Sequence, residues 1–107
     1  MFYVYKLIDP RTNTPFYVGK GSENRVQLHL KGYCSNPKAS TLIKEIRQHN
    51  LEPIIEYVIH TAHEDEAYKK EAELISFYGR QRFDKNGILT NVQPGLLNFK
   101  KRNMKYV

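Results

Sequence analysis

The chain of 107 residues has no tryptophan, one cysteine, and eleven acidic side chains against seventeen lysines and arginines. Each shortage closes off a class of protein. A lone cysteine, Cys34, forbids an internal disulfide and excludes the stapled scaffolds of small secreted domains. Cys34 itself reads as a loop or packing thiol. No apolar run approaches the roughly 20 residues that a membrane span needs. Asp9 and Pro10 cut the apolar opening short before it could serve as a secretory leader. The expectation is a cytoplasmic, single-domain globular protein, with 40% hydrophobic and 26% charged residues. No Cys/His zinc spacing, no phosphate-cradling P-loop and no Gly-x-Ser-x-Gly elbow occurs. His60, His63 and Glu64 stand close together, but three ligands so near in sequence would need special loop geometry to share a metal. With tryptophan absent, the eight tyrosines supply the large aromatic volume, so each is first a candidate core residue and only then a candidate catalyst.

The shortage of acids leaves a net charge of +6 and a pI near 9.5, unevenly spread. Residues 81–107 hold six Lys or Arg against one acid, and Lys100-Lys101-Arg102-Asn103-Met104-Lys105 is the densest basic run. Such a balance suits a polyanion, nucleic acid above all, and composition alone equally allows a solvated basic surface.

What is present is concentrated in residues 2–29. Phe2 to Ile8 alternates, with Tyr3, Tyr5 and Leu7 on one face and Phe2, Val4, Lys6 and Ile8 on the other, in β-favouring residue types. Asp9 to Pro15 is turn chemistry, and Phe16 to Gly19 is the returning strand of a hairpin, ended by Gly21-Ser22. Tyr5 and Tyr17 then face the same side on adjacent strands. Ser22 is the expected N-cap of a helix reaching about Lys31, with Arg25 and His29 at i,i+4; those two are either a solvated helix face or part of a site. Residues 32–36 read as loop. Ser35-Asn36-Pro37 starts a second helix with a buried stripe of Ala39, Leu42, Ile43 and Ile46. Ile54 to Ile59, apolar on both faces except at Glu56, is expected in the middle of a covered sheet or against two layers. Glu64-Asp65-Glu66 favours the start of a third helix that runs to Tyr78 and stops at Gly79. Asp84 to Gly87 is a turn and Ile88 to Val92 a short extended segment.

One residue of that third helix breaks its pattern. The apolar stripe is Ala67, Tyr68, Leu74, Ile75 and Tyr78, and Glu71 falls inside it, whereas Glu73 points the other way. An ionised carboxylate facing a core costs several kcal/mol unless it is paired, neutralised or bound to a cation. Glu71 is therefore either half of a buried ion pair or a functional acid.

Taken together these residues resemble the GIY-YIG endonuclease family. Tyr3-Val4-Tyr5 stands where that family has Gly-Ile-Tyr, and Tyr17-Val18-Gly19 stands for Tyr-Ile-Gly. Arg25 and His29 match the first-helix arginine and the polar residue after it. Glu71-Ala72-Glu73-Leu74-Ile75 matches the Glu-x-x-Leu-Ile metal-binding helix, and Thr90-Asn91-Val92 matches the closing Asn motif. Tyr-Val-Gly-Lys-Gly and Leu-Ile-x-x-Tyr-Gly-Arg look most like the subgroup of phage and LEM-domain-associated nucleases. Tyr3 replaces the first glycine, at a position that is backbone in character. The resemblance covers residues 2–93 and leaves 94–107 as a basic tail. It implies an α+β fold, a small three-stranded antiparallel sheet flanked by helices, which agrees with the strand–strand–helix–helix–strand–helix order read from the residues.

The activity implied is metal-dependent hydrolysis of DNA phosphodiesters. Glu71 would hold one Mg²⁺, with Mn²⁺ as a possible substitute, a hard ion that takes one or two carboxylates plus water and phosphate oxygens. Tyr17, with Tyr5 beside it, would be the general base, which requires lowering a phenol pKa from near 10. Arg25 would neutralise the scissile phosphate through its planar fork. His29 would orient Tyr17 or carry a proton. Gly19, Lys20, Asn91, Lys100, Lys101 and Arg102 are the expected substrate-side residues, Asn91 chiefly by fixing the site. The partner is duplex or branched DNA, with a monomer and a homodimer both open. Two other readings stay open on the residues alone: a nucleic-acid-binding module on the same fold without catalysis, and a protein-interaction domain with a basic surface.

Overall fold

The computed structural model describes residues 1–31 and 36–92. Its elements are β1 (Phe2–Asp9), β2 (Thr14–Ser22), α1 (Arg25–Leu30), α2 (Pro37–Gln48), β3 (Ile54–Thr61) and α3 (Glu64–Tyr78). The three strands form one antiparallel sheet in the order β2-β1-β3. This is the α+β architecture expected from the sequence, in the expected element order. Among the described residues no helix is long and apolar enough to cross a membrane.

The alternation of β1 sorts its side chains into two cores. Tyr3, Tyr5 and Leu7 pack with Val26 of α1 and with Ala39, Ile43 and Ile46 of α2. Val4, on the other face, packs with Val18, Leu89 and the α3 residues Ala67 and Ile75. The central strand is thus β1, and this corrects the placement expected for the third strand. β3 lies at an edge, with Ile54, Tyr57 and His60 exposed. Its apolar run misled because only Ile55 and Ile59 of the pattern reach a core, whereas Lys6 of β1 bonds Glu56 at 2.7 Å.

Two further expectations change. β2 does not stop before Gly21-Ser22; it continues through them, pairing Gly21 with Tyr3 and Ser22 with Phe2. A bulge between Leu7 and Ile8 absorbs the entry at Pro15, which an edge strand tolerates. Consequently α1 starts later than expected, with Asn24 rather than Ser22 at the N-cap and no side-chain bond from that cap. The orphan N–H of Val26 is taken instead by the Tyr3 hydroxyl at 3.1 Å, which donates in turn to the Glu23 carbonyl at 3.0 Å. α2 starts as expected. Asn36 accepts from the N–H groups of Lys38 and Ala39, and Pro37 occupies the first turn. α3 ends at Gly79, whose φ of 78° suits a residue without a Cβ.

The two glycines of β2 have a packing reason. Tyr5 lies opposite Gly19 and Tyr3 opposite Gly21, and each ring lies across the bare backbone of its partner. A Cβ on Gly19 would come within 2.6 Å of the Tyr5 ring and hydroxyl, and one on Gly21 within 2.9 Å of the Tyr3 ring. Real Cβ contacts of that length do not occur, so the ring or the strand must shift. We expect Gly19→Ala to cost about 1–3 kcal/mol of unfolding free energy in denaturant titration, and to cost clearly less in a Tyr5→Leu background. An equal cost in both backgrounds would exclude the Tyr5 contact as its source.

Candidate active site

The site is built around β2, whose outer edge faces no other strand among the described residues. Edge N–H and C=O groups need partners, and here they are supplied by side chains and loop from the distal part of the chain. The Thr90 N–H and hydroxyl both donate to the Phe16 carbonyl, at 2.7 and 2.9 Å. Asn91 takes both groups of Val18: the Val18 N–H donates to Oδ1 at 3.0 Å, and Nδ2 donates to the Val18 carbonyl at 2.7 Å. The Lys20 backbone N–H hydrogen-bonds the Glu71 carboxyl. Alternate residues of one strand edge are therefore closed by Thr90, Asn91 and Glu71.

The segment that delivers Thr90 and Asn91 is itself tied down. Leu89 bonds the Gly79 carbonyl at 2.9 Å, and its own carbonyl accepts from Gln81 at 2.8 Å. The Arg80 guanidinium donates to the Val92 carbonyl at 2.6 Å, and Asn36 Nδ2 donates to the Thr90 carbonyl at 2.8 Å. Asn91 is buried. Its carboxamide is spent on Val18, between Tyr17 and Gly19, so it shapes the strand. Gly19, also expected on the substrate side, is buried beneath Tyr5.

On the α1/α2 face of β2 the sequence candidates converge. Tyr5 and Tyr17 have ring centroids 6.3 Å apart, and Tyr17 meets the His29 ring edge-on at 4.8 Å. The Tyr5 hydroxyl lies 3.4 Å from His29 Nδ1. His29 Nε2 is buried and has no hydrogen-bond partner among the described residues. Burial, and then the Arg25 charge one turn away, push the His29 pKa below its ordinary value, so the ring is neutral at pH 7. Arg25 is exposed and makes no ion pair among the described residues.

From the α3 side comes Glu71. As the sequence pattern predicted, it lies within the packed stripe with Ala67 and Ile75, while Glu73 turns outward to Lys70 at 3.2 Å. The alternative of a buried ion pair is not realised among the described residues. The nearest cation, Lys20, has its ammonium 2.9 Å from Glu64 and stacked over the Tyr68 and Phe2 rings. Burial pushes the Glu71 carboxyl up to about 7, and the Lys20 charge and backbone N–H oppose this only in part. Among the described residues no group of three or more His, Cys, Asp or Glu side chains is placed to hold a metal. Cys34, Lys100, Lys101 and Arg102, with the proposed tail, lie outside the described residues.

Sequence reasoning did not single out Tyr3 as the cap of α1, Thr90 as the clamp on Phe16, or Glu64 as the partner of Lys20. Thr90 had one signal, its position beside Asn91; the other two depend on contacts distant in sequence.

The described residues thus form a small α+β domain whose edge strand joins a Tyr–Tyr–His cluster to a half-buried glutamate. A family model for the LEM-3-like GIY-YIG domain matches residues 2–105, and the chain belongs to this GIY-YIG family. No curated protein and no solved structure gives a significant match.

The Glu71 environment sets a pH dependence. A carboxyl whose folded pKa is raised favours the fold in its neutral form. The cost of ionising it is absent below its ordinary 4.5 and complete above about 7. We expect Glu71→Gln, which keeps an acceptor for the Lys20 N–H, to gain up to about 3 kcal/mol in unfolding free energy at pH 8 without divalent cations. At pH 4 wild type and variant should coincide. A gain of equal size at both pH values would contradict a buried, titrating Glu71.

Proposed function

We propose that the protein is a metal-dependent DNA endonuclease that hydrolyses phosphodiester bonds, with Tyr17 as general base, Tyr5 beside it, and Glu71 as the metal ligand. Membership of the GIY-YIG family supports nuclease function. The observation that carries the finer reading is the position of Glu71. It is a half-buried carboxyl that makes no ion pair among the described residues, bonded to Lys20 three residues along the strand from Tyr17. Nothing in the fold needs an acid there, since an amide would satisfy the same N–H without the cost of burying charge.

The donor set fits a hard divalent cation such as Mg²⁺, which accepts a single carboxylate and completes its shell with water and phosphate oxygens. Bound at Glu71, the cation would supply neutralisation of charge on the reacting phosphate. The chain's own groups do the rest. Tyr17 takes the proton of the attacking water, and its ring is held by His29 on one side and Tyr5 on the other. His29, neutral and with no partner for Nε2 among the described residues, has a position at which to hold a proton. The exposed guanidinium of Arg25 binds phosphate oxygens and lies close enough to act on His29. Asn91 and Thr90 act through β2, fixing the backbone on both sides of Tyr17. DNA is the proposed partner, bound in part through the basic residues 100–102.

The test is incubation with supercoiled plasmid and with linear and branched duplexes, in Mg²⁺ or EDTA. Wild type should cut only with the metal. Glu71→Ala should lower cleavage by at least about 10³-fold, a loss of the order reported for single electrostatic stabilisers, while its DNA affinity stays near wild type. Wild-type binding without any nicking would favour the reading of a catalytically inactive module. Cleavage by Glu71→Ala at the wild-type rate would remove Glu71 from the site.

A further inference from the structure

The aromatic cluster does not end at Tyr5 but crosses the whole sheet. From Tyr17 on β2 the rings pass through Tyr5 and Tyr3 on β1 to Tyr57 and His60 on β3. Successive centroids are 6.3, 5.9, 5.3 and 5.3 Å apart. All lie on the α1/α2 face, because Tyr5 pairs with Tyr57 and Tyr3 with His60 across β1 and β3. The bulge between Val4 and Tyr5 makes this possible, since without it Tyr57 and His60, three apart, would point to opposite faces.

The two ends of this row differ. Tyr3 and Tyr5 are buried, whereas Tyr57 is 41% exposed and His60 is exposed. The Tyr57 and His60 rings lie 5.3 Å apart with their planes inclined by 32°, so they overlap as a tilted pair at the exposed end of the row. At its rim stands Gln27 of α1, whose Nε2 lies 3.4 Å from the Tyr57 hydroxyl and whose side chain is otherwise exposed. Neither ring of this pair takes part in the chemistry assigned to Tyr17, His29 and Glu71.

Exposed aromatic rings on a sheet face are the arrangement on which unpaired bases stack, because every base offers a π-face whatever its identity. The occupant that fits this platform is accordingly a nucleobase. Its backbone would be drawn by a chain of net charge +6, and the amide of Gln27 can hydrogen-bond a base edge. The platform shares the sheet face of Tyr17, with the buried rings of Tyr3 and Tyr5 between them, so a strand engaged at Tyr17 reaches it with a nucleotide further along than the next one. We propose that Tyr57 and His60 bind one unpaired nucleobase flanking the duplex to be cut, so that the protein prefers substrates carrying a single-stranded extension. This rests on the nuclease reading above and adds a substrate feature to it.

The experiment is fluorescence anisotropy in EDTA with the full-length chain, comparing a blunt labelled duplex with the same duplex bearing a short single-stranded flank. Wild type should bind the flanked duplex more tightly. Tyr57→Leu, which keeps apolar bulk without a π-face, should lose about 10-fold in affinity for the flanked duplex and little for the blunt one. Tyr57→Phe should retain the preference. The ratio of wild type to Tyr57→Leu should stay constant between 50 and 200 mM salt, since stacking releases no counterions. Equal binding of both duplexes by wild type, unchanged binding by Tyr57→Leu, or loss in Tyr57→Phe would each overturn the platform while leaving the nuclease reading intact. So would a wild-type dimer that Tyr57→Leu dissolves, which would make this face a contact between copies. Absence of any DNA affinity in wild type would instead fail the nuclease reading itself.

Discussion

The outer edge of β2 is the constraint on which the remainder depends. An edge strand carries peptide groups that no neighbouring strand satisfies, and leaving them bare invites pairing with another chain. Here the partners are side chains and one loop N–H: Thr90 on Phe16, Asn91 on Val18 and Glu71 on Lys20. Two of these residues arrive on a segment far along the chain, and one arrives on a helix against the opposite face of the sheet. The same bonds that close the edge therefore bring the glutamate to the strand that carries Tyr17. Fold closure and site assembly are one event.

The tyrosines answer to a second constraint, which is space. Tyr5 and Tyr3 lie flat across β2 only because Gly19 and Gly21 stand opposite them. That arrangement frees the Tyr3 hydroxyl to cap α1 and brings the Tyr5 hydroxyl to His29. A short helix of six residues with no capping side chain of its own is thereby fixed in place, and it carries both Arg25 and His29. Helices this short are unstable in isolation, so their position is set by what they pack against. The Tyr–Gly pairs thus determine where Arg25 and His29 of α1 stand.

How far the sequence anticipates this varies with the range of the interaction. The start of α2 and the approximate span of α3 were legible, because a capping start, a 3.6-residue stripe and, for α3, a closing glycine are local signals. Glu71 was legible for the same reason: a charge inside a helical stripe is visible from spacing alone. The strand order was not. β3 reads as more apolar than β1, yet β1 takes the centre because both its faces have helices to bury against, whereas Tyr57 and His60 leave β3 half in water. Gly21-Ser22 read as a break because glycine is a poor strand former by itself, and only the ring of Tyr3 across the sheet makes it a good one. The start of α1 moved with it, since the donor of Val26 is capped by a hydroxyl from 23 residues earlier. What the sequence hid in each case is a partner distant in the chain.

On the function proposed, Glu71 is a half-buried carboxyl that a divalent cation would hold in its charged form. Its titration, followed by the side-chain carboxyl ¹³C shift in EDTA and again in saturating Mg²⁺, tests that without reference to activity. The inflection should fall near 7 without metal and drop below the ordinary value of 4.5 when Mg²⁺ is present. An inflection in the ordinary range without metal, or one that Mg²⁺ leaves unmoved, would contradict it.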